Sequence, residues 1–127
     1  MHVEVVSAEK SLLSGEASEL SARALDGEIG ILPGHQPALI ALDIGAVQVT
    51  FDDGRRERVA VHNGFLFIGR DKVIVLADTA ELANEIDRAR AEANVRRLEQ
   101  SADIDNDAAL RTSLAKHRLR VDVASTS

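Results

Sequence analysis

The chain has no cysteine, tryptophan or tyrosine, and its only aromatic side chains are Phe51, Phe65 and Phe67. Without cysteine there can be no disulfide, no thiolate metal site and no cysteine nucleophile, which fits a reducing compartment. So few rings argue against nucleic-acid binding by base stacking and against a carbohydrate platform. A net charge of −6 also opposes a phosphate-backbone partner, so no nucleic acid is expected. Long apolar runs are missing as well. The opening MHVEVVSAEK does not read as a signal peptide, and no stretch nears the roughly 20 apolar residues that span a bilayer. Direct membrane insertion is therefore not expected, and work at a membrane would go through a partner.

What the chain does have is aliphatic residues arranged in two different grammars. Its 127 residues fit one domain or a small domain with an appendage, and at 45% hydrophobic content a core must come from Val, Leu, Ile and Ala. Residues 1–80 read as short strands: VEVVSA, SELSARAL, EIGILP, ALIALD, AVQVTF, RRERVAVH, FLFIG and VIVLA. Asp52-Asp53-Gly54 is a hairpin signal, because Asp-Gly tolerates the positive φ of tight turns. His62-Asn63-Gly64 and Gly69–Lys72 read as two further turns. Val59 and Val61 alternate with polar or small neighbours, so one face of that strand is expected to be buried. The pattern predicts an antiparallel β-sandwich or flattened barrel.

Residues 81–127 lack Gly and Pro and are rich in Ala, Glu and Arg, which predicts an antiparallel two-helix hairpin and an α+β chain overall. Asn84 reads as an N-cap with Asp87 at the third helical position; Asp78 with Glu81 is an alternative start. Glu92 and Arg96, four apart, suggest a charged outer face. SADIDND breaks the helix, and DAALRTSLAKHRLRV forms a second with Leu110, Leu114, His117 and Val121 on one side. Ser125–Ser127 are expected to fray. The helices would meet through thin stripes, Ile86, Ala89 and Ala93 against Leu110, Leu114 and Val121. At about 25 cal/mol per Å² such stripes yield only a few kcal/mol before ordering entropy is subtracted. The hairpin should be marginal alone and able to dock or extend at small cost. Charge divides the same way: twelve acids against seven bases up to residue 80, then nine against eight, so most of the negative charge lies on the sandwich.

A search for chemistry finds little. His2, His35, His62 and His117 are scattered without a second ligand at metal spacing, so no metal site is expected. Neither a G-x-S-x-G elbow nor a Walker-type loop is present. Asp103-x-Asp105-x-Asp107 resembles the start of an EF-hand loop, but Ala108 stands where Gly is required and Leu114 where Glu is; an acidic turn supplying an N-cap fits better. Arg111, Lys116, Arg118 and Arg120 form a basic run, either a solvated face or a finger seeking an acidic partner. DGEIGILPGHQP, residues 26–37, alternates turn, short strand and turn, setting Glu28 on an exposed rim and His35 in a stiff loop. Structural turns and a docking edge explain it equally well. A free-standing ligand-binding sandwich, and a hydrolase built on His35 or His62, are the alternatives from other classes.

VVSAEKSLLSGEA, DGEIGILPGHQPALIAL, HNGFLFI, VIVLADTAE and IDRARAEA, in this order over about residues 3–121, resemble the ε subunit family of bacterial F-type ATP synthases. The resemblance implies a non-catalytic rotor subunit with no required cofactor, a sandwich at 1–80 and a regulatory hairpin at 81–127. It implies a position on the central stalk with γ, against the c-ring, peripheral at the cytoplasmic face of the cell membrane. In many such members the hairpin extends along γ and restrains ATP hydrolysis. Residue by residue, Glu28 matches the ring-facing acid and His35 the histidine near γ. Ile86-Asp87-Arg88-Ala89-Arg90-Ala91 fits an ATP-binding motif of some members, with Glu81 and Arg97 as its flanking residues. The second helix departs from that pattern: Arg118 matches one of two arginines four apart, but the other position is Leu114, which leaves a weaker phosphate site. The basic residues of that helix, Arg111, Lys116, Arg118 and Arg120, would meet acidic surfaces of the α/β hexamer when the hairpin extends.

Overall fold

The computed structural model describes residues 1–125 and places seven strands before two helices. The strands are β1 (His2–Ser7), β2 (Ser11–Ala24), β3 (Gly27–Ile31), β4 (Ala38–Phe51), β5 (Arg56–Ile68), β6 (Lys72–Ala77) and β7 (Ala80–Leu82). A single 3-10 turn, Ala83–Glu85, leads into α1 (Arg88–Glu99) and α2 (Ala108–Ser125). The sheet runs β1-β6-β5-β4-β2-β3, β7 adds to β5, and β1 also pairs with β2. That last pairing closes the sheet into the expected flattened barrel. The ladders are antiparallel except for β1 with β6, which runs parallel.

Several short runs of the sequence join into long strands. ALIALD and AVQVTF form one strand, β4, and β2 begins at Ser11 rather than Ser18. The early half of β2 is hidden in the sequence because Ser14, Gly15 and Glu16 dilute its alternation. It pairs with β1, while the later half pairs with β4 and β3; a register shift between Ala17 and Glu19 turns the strand from one set of neighbours to the other. Such bends let one sheet wrap around one core.

His62-Asn63-Gly64 is not a hairpin turn. It lies inside β5 as a local break, with Asn63 at φ 72° and Gly64 at φ 149°. Here β5 changes which parity faces inward. Val59 and Val61 belong to the core before the break; Leu66 and Ile68 belong to it after. β4 switches on the same rung, between the pairs Leu42↔Gly64 and Ile44↔His62: Leu42 faces the core, and then Val47, Val49 and Phe51 do. Because both strands switch together, their register is kept. Glycine is required at 64 because an added Cβ would stand 2.2 Å from the Leu76 carbonyl oxygen. The two tight hairpins fall where the sequence puts them. Gly54 donates to the Phe51 carbonyl at 2.9 Å, and Gly69 donates to that of Lys72 at 2.8 Å.

The core is aliphatic, as the composition demands: Val3, Val5, Leu20, Ile31, Val49, Val59, Leu66 and Val75 are all shut away from solvent. A second buried group lies outside it. Ala60, Ala91, Leu98, Leu114 and Val123 are buried but are not part of the barrel core. They form where α1 and α2 pack together and α2 lies on β4, β5 and the 3-10 turn. Both parities of Val59–His62 are therefore buried, where alternation alone predicts one. The helix stripes are also phased differently. Ala89 and Ala93 are exposed, while Ala91 and Leu98 carry the α1 contact and Val123 joins Leu114 on α2. On the outer face of α1, Glu92 pairs with Arg88 at 2.8 Å, one turn earlier. Ser125 ends α2, its hydroxyl donating to the Val121 carbonyl at 2.6 Å; Thr126 and Ser127 lie outside the described residues.

Replacing Gly64 by Ala should lower the unfolding free energy by about 2–3 kcal/mol in denaturant titration, since backbone must move to admit the methyl. Gly30→Ala, where an added Cβ meets nothing within 4 Å, should stay within about 0.5 kcal/mol.

Candidate functional site

A cleft of about 330 Å³ opens where β7, the 3-10 turn and both helices meet. Glu81, on β7 opposite Ala60, reaches into it from the sheet. Its Oε1 accepts from Arg120 Nε at 2.6 Å and from His62 Nε2 at 3.2 Å. One carboxylate oxygen thus joins a strand histidine to an arginine of α2. Arg120 also reaches His117 Nδ1, at 3.2 Å through Nη1. A guanidinium can only donate, so Nδ1 of His117 must be the bare, accepting nitrogen. By the same logic His62, facing a carboxylate, carries its proton on Nε2. Its Nδ1 is buried with no hydrogen-bond partner among the described residues.

Both imidazoles are held below the usual histidine range. For His62 the main cause is burial, followed by the Arg120 guanidinium; Glu81 pulls the other way and Lys116 adds a weaker push. For His117 burial again leads, then Arg120 and Arg97. Elsewhere at the cleft mouth, Glu85 is held below the usual carboxylate range by Lys10 of the β1–β2 turn and by the Leu82 amide.

Asp87 is the N-cap of α1 itself, not its third residue: its Oδ1 accepts from the Arg90 amide at 3.0 Å. Neither Asn84, in the 3-10 turn, nor Asp78, before β7, starts the helix. The turn interposes because Glu85 folds back onto the Leu82 amide at 3.0 Å. Glu81, Asp87 and Arg90 line the cleft together; Arg97 lies beyond it, 3.4 Å from Asn94 Oδ1. From α2 the cleft receives His117 and Arg120 rather than Arg118, which turns to Glu99 at 3.6 Å. Arg111 donates to the Asp105 carbonyl at 2.7 Å, inside the turn between the helices, and Asp107 caps α2 by accepting from Ala109 and Leu110. With the hairpin folded down, Arg111, Arg118 and Arg120 of the basic run are thus engaged by acids and carbonyls that come from other elements. Sequence reasoning names His117 in the packing stripe of the second helix and His62 in a turn and in the hydrolase alternative, neither of them in this cleft, and it misses the Arg58–Asp122 pair at 3.1 Å. One signal was present for His62: it ends a run too apolar for a strand with one wet face.

The rim residues lie elsewhere. Glu28 is exposed on β3, opposite Arg23 of β2, with Leu25 and Leu32 exposed at either end of the strand. His35 is exposed, its Nδ1 donating to the Gln36 carbonyl at 2.8 Å, which stiffens the loop. A third surface is apolar. The switch at Asn63-Gly64 turns Phe65 and Phe67 outward, 52% and 47% exposed, beside Leu76 and Leu39 on the flanking strands.

A family model described as the ATP synthase delta/epsilon chain β-sandwich domain matches residues 1–83. The chain belongs to the ATP synthase epsilon family. It is 44% identical over 103 residues to the ATP synthase epsilon chain of Streptomyces avermitilis, covering 81% of this chain and 83% of that one. The epsilon chain of Corynebacterium efficiens is 43% identical over 110 residues, covering 86% and 89%. Among solved structures, a chain of the Euglena gracilis mitochondrial ATP synthase (OSCP, F1 and c-ring) is similar with a TM-score of 0.77. It is 20% identical, covering 98% of this chain and 80% of that one. A chain of the Tetrahymena thermophila mitochondrial ATP synthase central stalk and c-ring has a TM-score of 0.59 at 14% identity, covering 98% and 93%. At these identities the two structures speak for the fold alone, shared over 98% of this chain.

In this family member Glu81→Ala would leave Arg120 and His62 without their shared acceptor. Denaturant unfolding followed by circular dichroism should show a loss of about 1–3 kcal/mol, larger than for Glu92→Ala on the outer face of α1.

Proposed function

We propose that this chain is the non-catalytic central-stalk subunit of a proton-translocating F-type ATP synthase, coupling the c-ring and γ to the catalytic head. It breaks no bond; torque passes through adhesion. The observation that carries this is the outward apolar patch of Leu39, Phe65, Phe67 and Leu76, built by a strand switch that sends two of the three aromatic side chains away from the core. Buried large apolar side chains contribute about 1.5–3 kcal/mol each, so a patch of this size favours a covered state. The resemblance to the epsilon family supports γ as the cover. Glu28, with Leu25 and Leu32 around it, faces the c-ring, and His35 supports the loop near γ. Peripheral attachment at the cytoplasmic face of the membrane follows, through partners; no helix among the described residues is long and apolar enough to cross a bilayer.

Residues 1–80 are the adhesive unit and 81–127 the regulatory one. Folded down, the hairpin keeps Arg118 and Arg120 occupied with Glu99 and Glu81. Extended, it frees them with Arg111 and Lys116 to meet acidic surfaces of the α/β hexamer and restrain ATP hydrolysis. The cleft holding Glu81, Asp87 and Arg90 is where a nucleotide would act on this equilibrium, although Glu81 already occupies Arg120 and Arg97 lies outside.

Phe65→Glu should weaken association with γ by at least about a hundredfold in co-purification or surface binding, with the folding of the chain intact, because the side chain is already in water. Undiminished γ binding would remove the patch from the interface. Glu28→Lys should reduce proton pumping in reconstituted vesicles. Neutralising Arg111, Lys116, Arg118 and Arg120 together should relieve inhibition of ATPase in reconstituted F1; unchanged inhibition would end the basic-helix role.

A further inference from the structure

We propose that docking of the helical hairpin onto the barrel is proton-linked, with neutral His62 and neutral His117 as the two halves of an acid-sensitive clasp around Glu81 and Arg120. This extends the latch reading above to the signal that releases it.

The geometry favours uncharged rings at both positions. His117 accepts from Arg120 at Nδ1, a contact that a protonated ring replaces with two facing donors. His62 is 3% exposed, and protonation would put a second N–H on its partnerless Nδ1 in a buried place. The charged groups around the pair sharpen this. β7 presents Glu81, the single neighbour that favours a charged His62, and Arg120 of α2 already draws on the same oxygen. α2 further presents Lys116 towards His62, and α1 presents Arg90 and Arg97 towards His117. Glu85 of the 3-10 turn and Asp87 of α1 lie in the cleft but are held by Lys10 and by the helix N-terminus.

The sign follows. Both histidines are depressed while docked and return towards about 6.5 when the hairpin leaves, since undocking removes α2 and opens the cleft. The released state therefore binds more protons. Docking is strongest above pH about 6.5 and is lost as pH falls from there towards the depressed values. With about 6.5 as the released value, each histidine can change the docking constant by at most about tenfold between pH 7.5 and 5.5, and the pair by at most about a hundredfold. Ordinary carboxylates titrate near 4, outside this window.

Amide hydrogen exchange on the full chain tests it, because a 12- and an 18-residue helix are marginal once undocked and exchange reports their opening. Protection of α2 amides, corrected for intrinsic rates and referenced to β2, should fall by at least twofold and by up to about a hundredfold from pH 7.5 to 5.5. His62→Gln keeps a neutral donor towards Glu81, and His117→Asn keeps a neutral acceptor for Arg120. The double variant should lose most of that fall. A wild-type change under twofold, or an equal fall in the double variant, overturns the proposal. Imidazole proton shifts in the wild-type chain decide the matter without any variant: midpoints for both rings clearly below 6.5 support the clasp, and a midpoint at or above 6.5 for either refutes it. Because none of this uses the rotor, failure here is distinguishable from failure of the stalk assignment, which rests on γ binding.

Discussion

The arrangement depends on the switch of inward parity shared by β4 and β5 at one rung of their ladder. A strand has two faces, and a one-residue change in alternation exchanges them completely. On one side of the rung, the outward positions of β5 are Ala60 and His62, and the hairpin covers them. On the other side they are Phe65 and Phe67, which the described residues leave about half exposed. Had the alternation continued, the two phenylalanines would have entered the barrel and Leu66 and Ile68 would have faced water. The conformations of Asn63 and Gly64 thus decide which part of one strand lies under the hairpin and which part presents Phe65 and Phe67 outward.

The two covered surfaces are held by different forces. Inside the barrel the contacts are aliphatic, continuous and closed by the β1–β2 pairing, so opening one place exposes the rest. Beneath the hairpin the buried group is small, built largely of alanine, leucine and one valine, and polar links frame it: Glu81 to Arg120, Arg58 to Asp122 and the neutral imidazoles. Hydrogen bonds of this kind each contribute little net free energy but specify one arrangement, because an unpaired partner left buried is costly. A stable slab and a conditional appendage can therefore coexist in a chain of 127 residues.

Much of this was legible in the residues. The Asp-Gly turn, the aliphatic core, the change of grammar near residue 80 and the acidic cap before α2 all follow from local rules, and local rules operate there. Legibility failed where tertiary context overrules the local signal. Asn-Gly is the strongest short hairpin signal there is, yet here it bends a strand that carries on, because β4 bends with it and β6 supplies the partner for Gly64. The first half of β2 looks too polar for a strand because its face is only half covered. The stripe expected on α1, Ile86, Ala89 and Ala93, is misphased against the buried Ala91 and Leu98, since alanine marks no face by itself. The cleft could not be read at all: Glu81, Asp87 and Arg90 stood out by motif, but His62 and Arg120 join them only through the packing of α2 on the sheet.

The small apolar area beneath the hairpin has a further consequence. When α2 lifts away, the barrel uncovers mostly alanine, a histidine and charged groups that water solvates readily. Lifting would therefore add little apolar surface to the Leu39, Phe65, Phe67 and Leu76 patch that is already exposed. On the proposed latch reading, the open shape could then be visited repeatedly at little cost in newly wetted apolar surface.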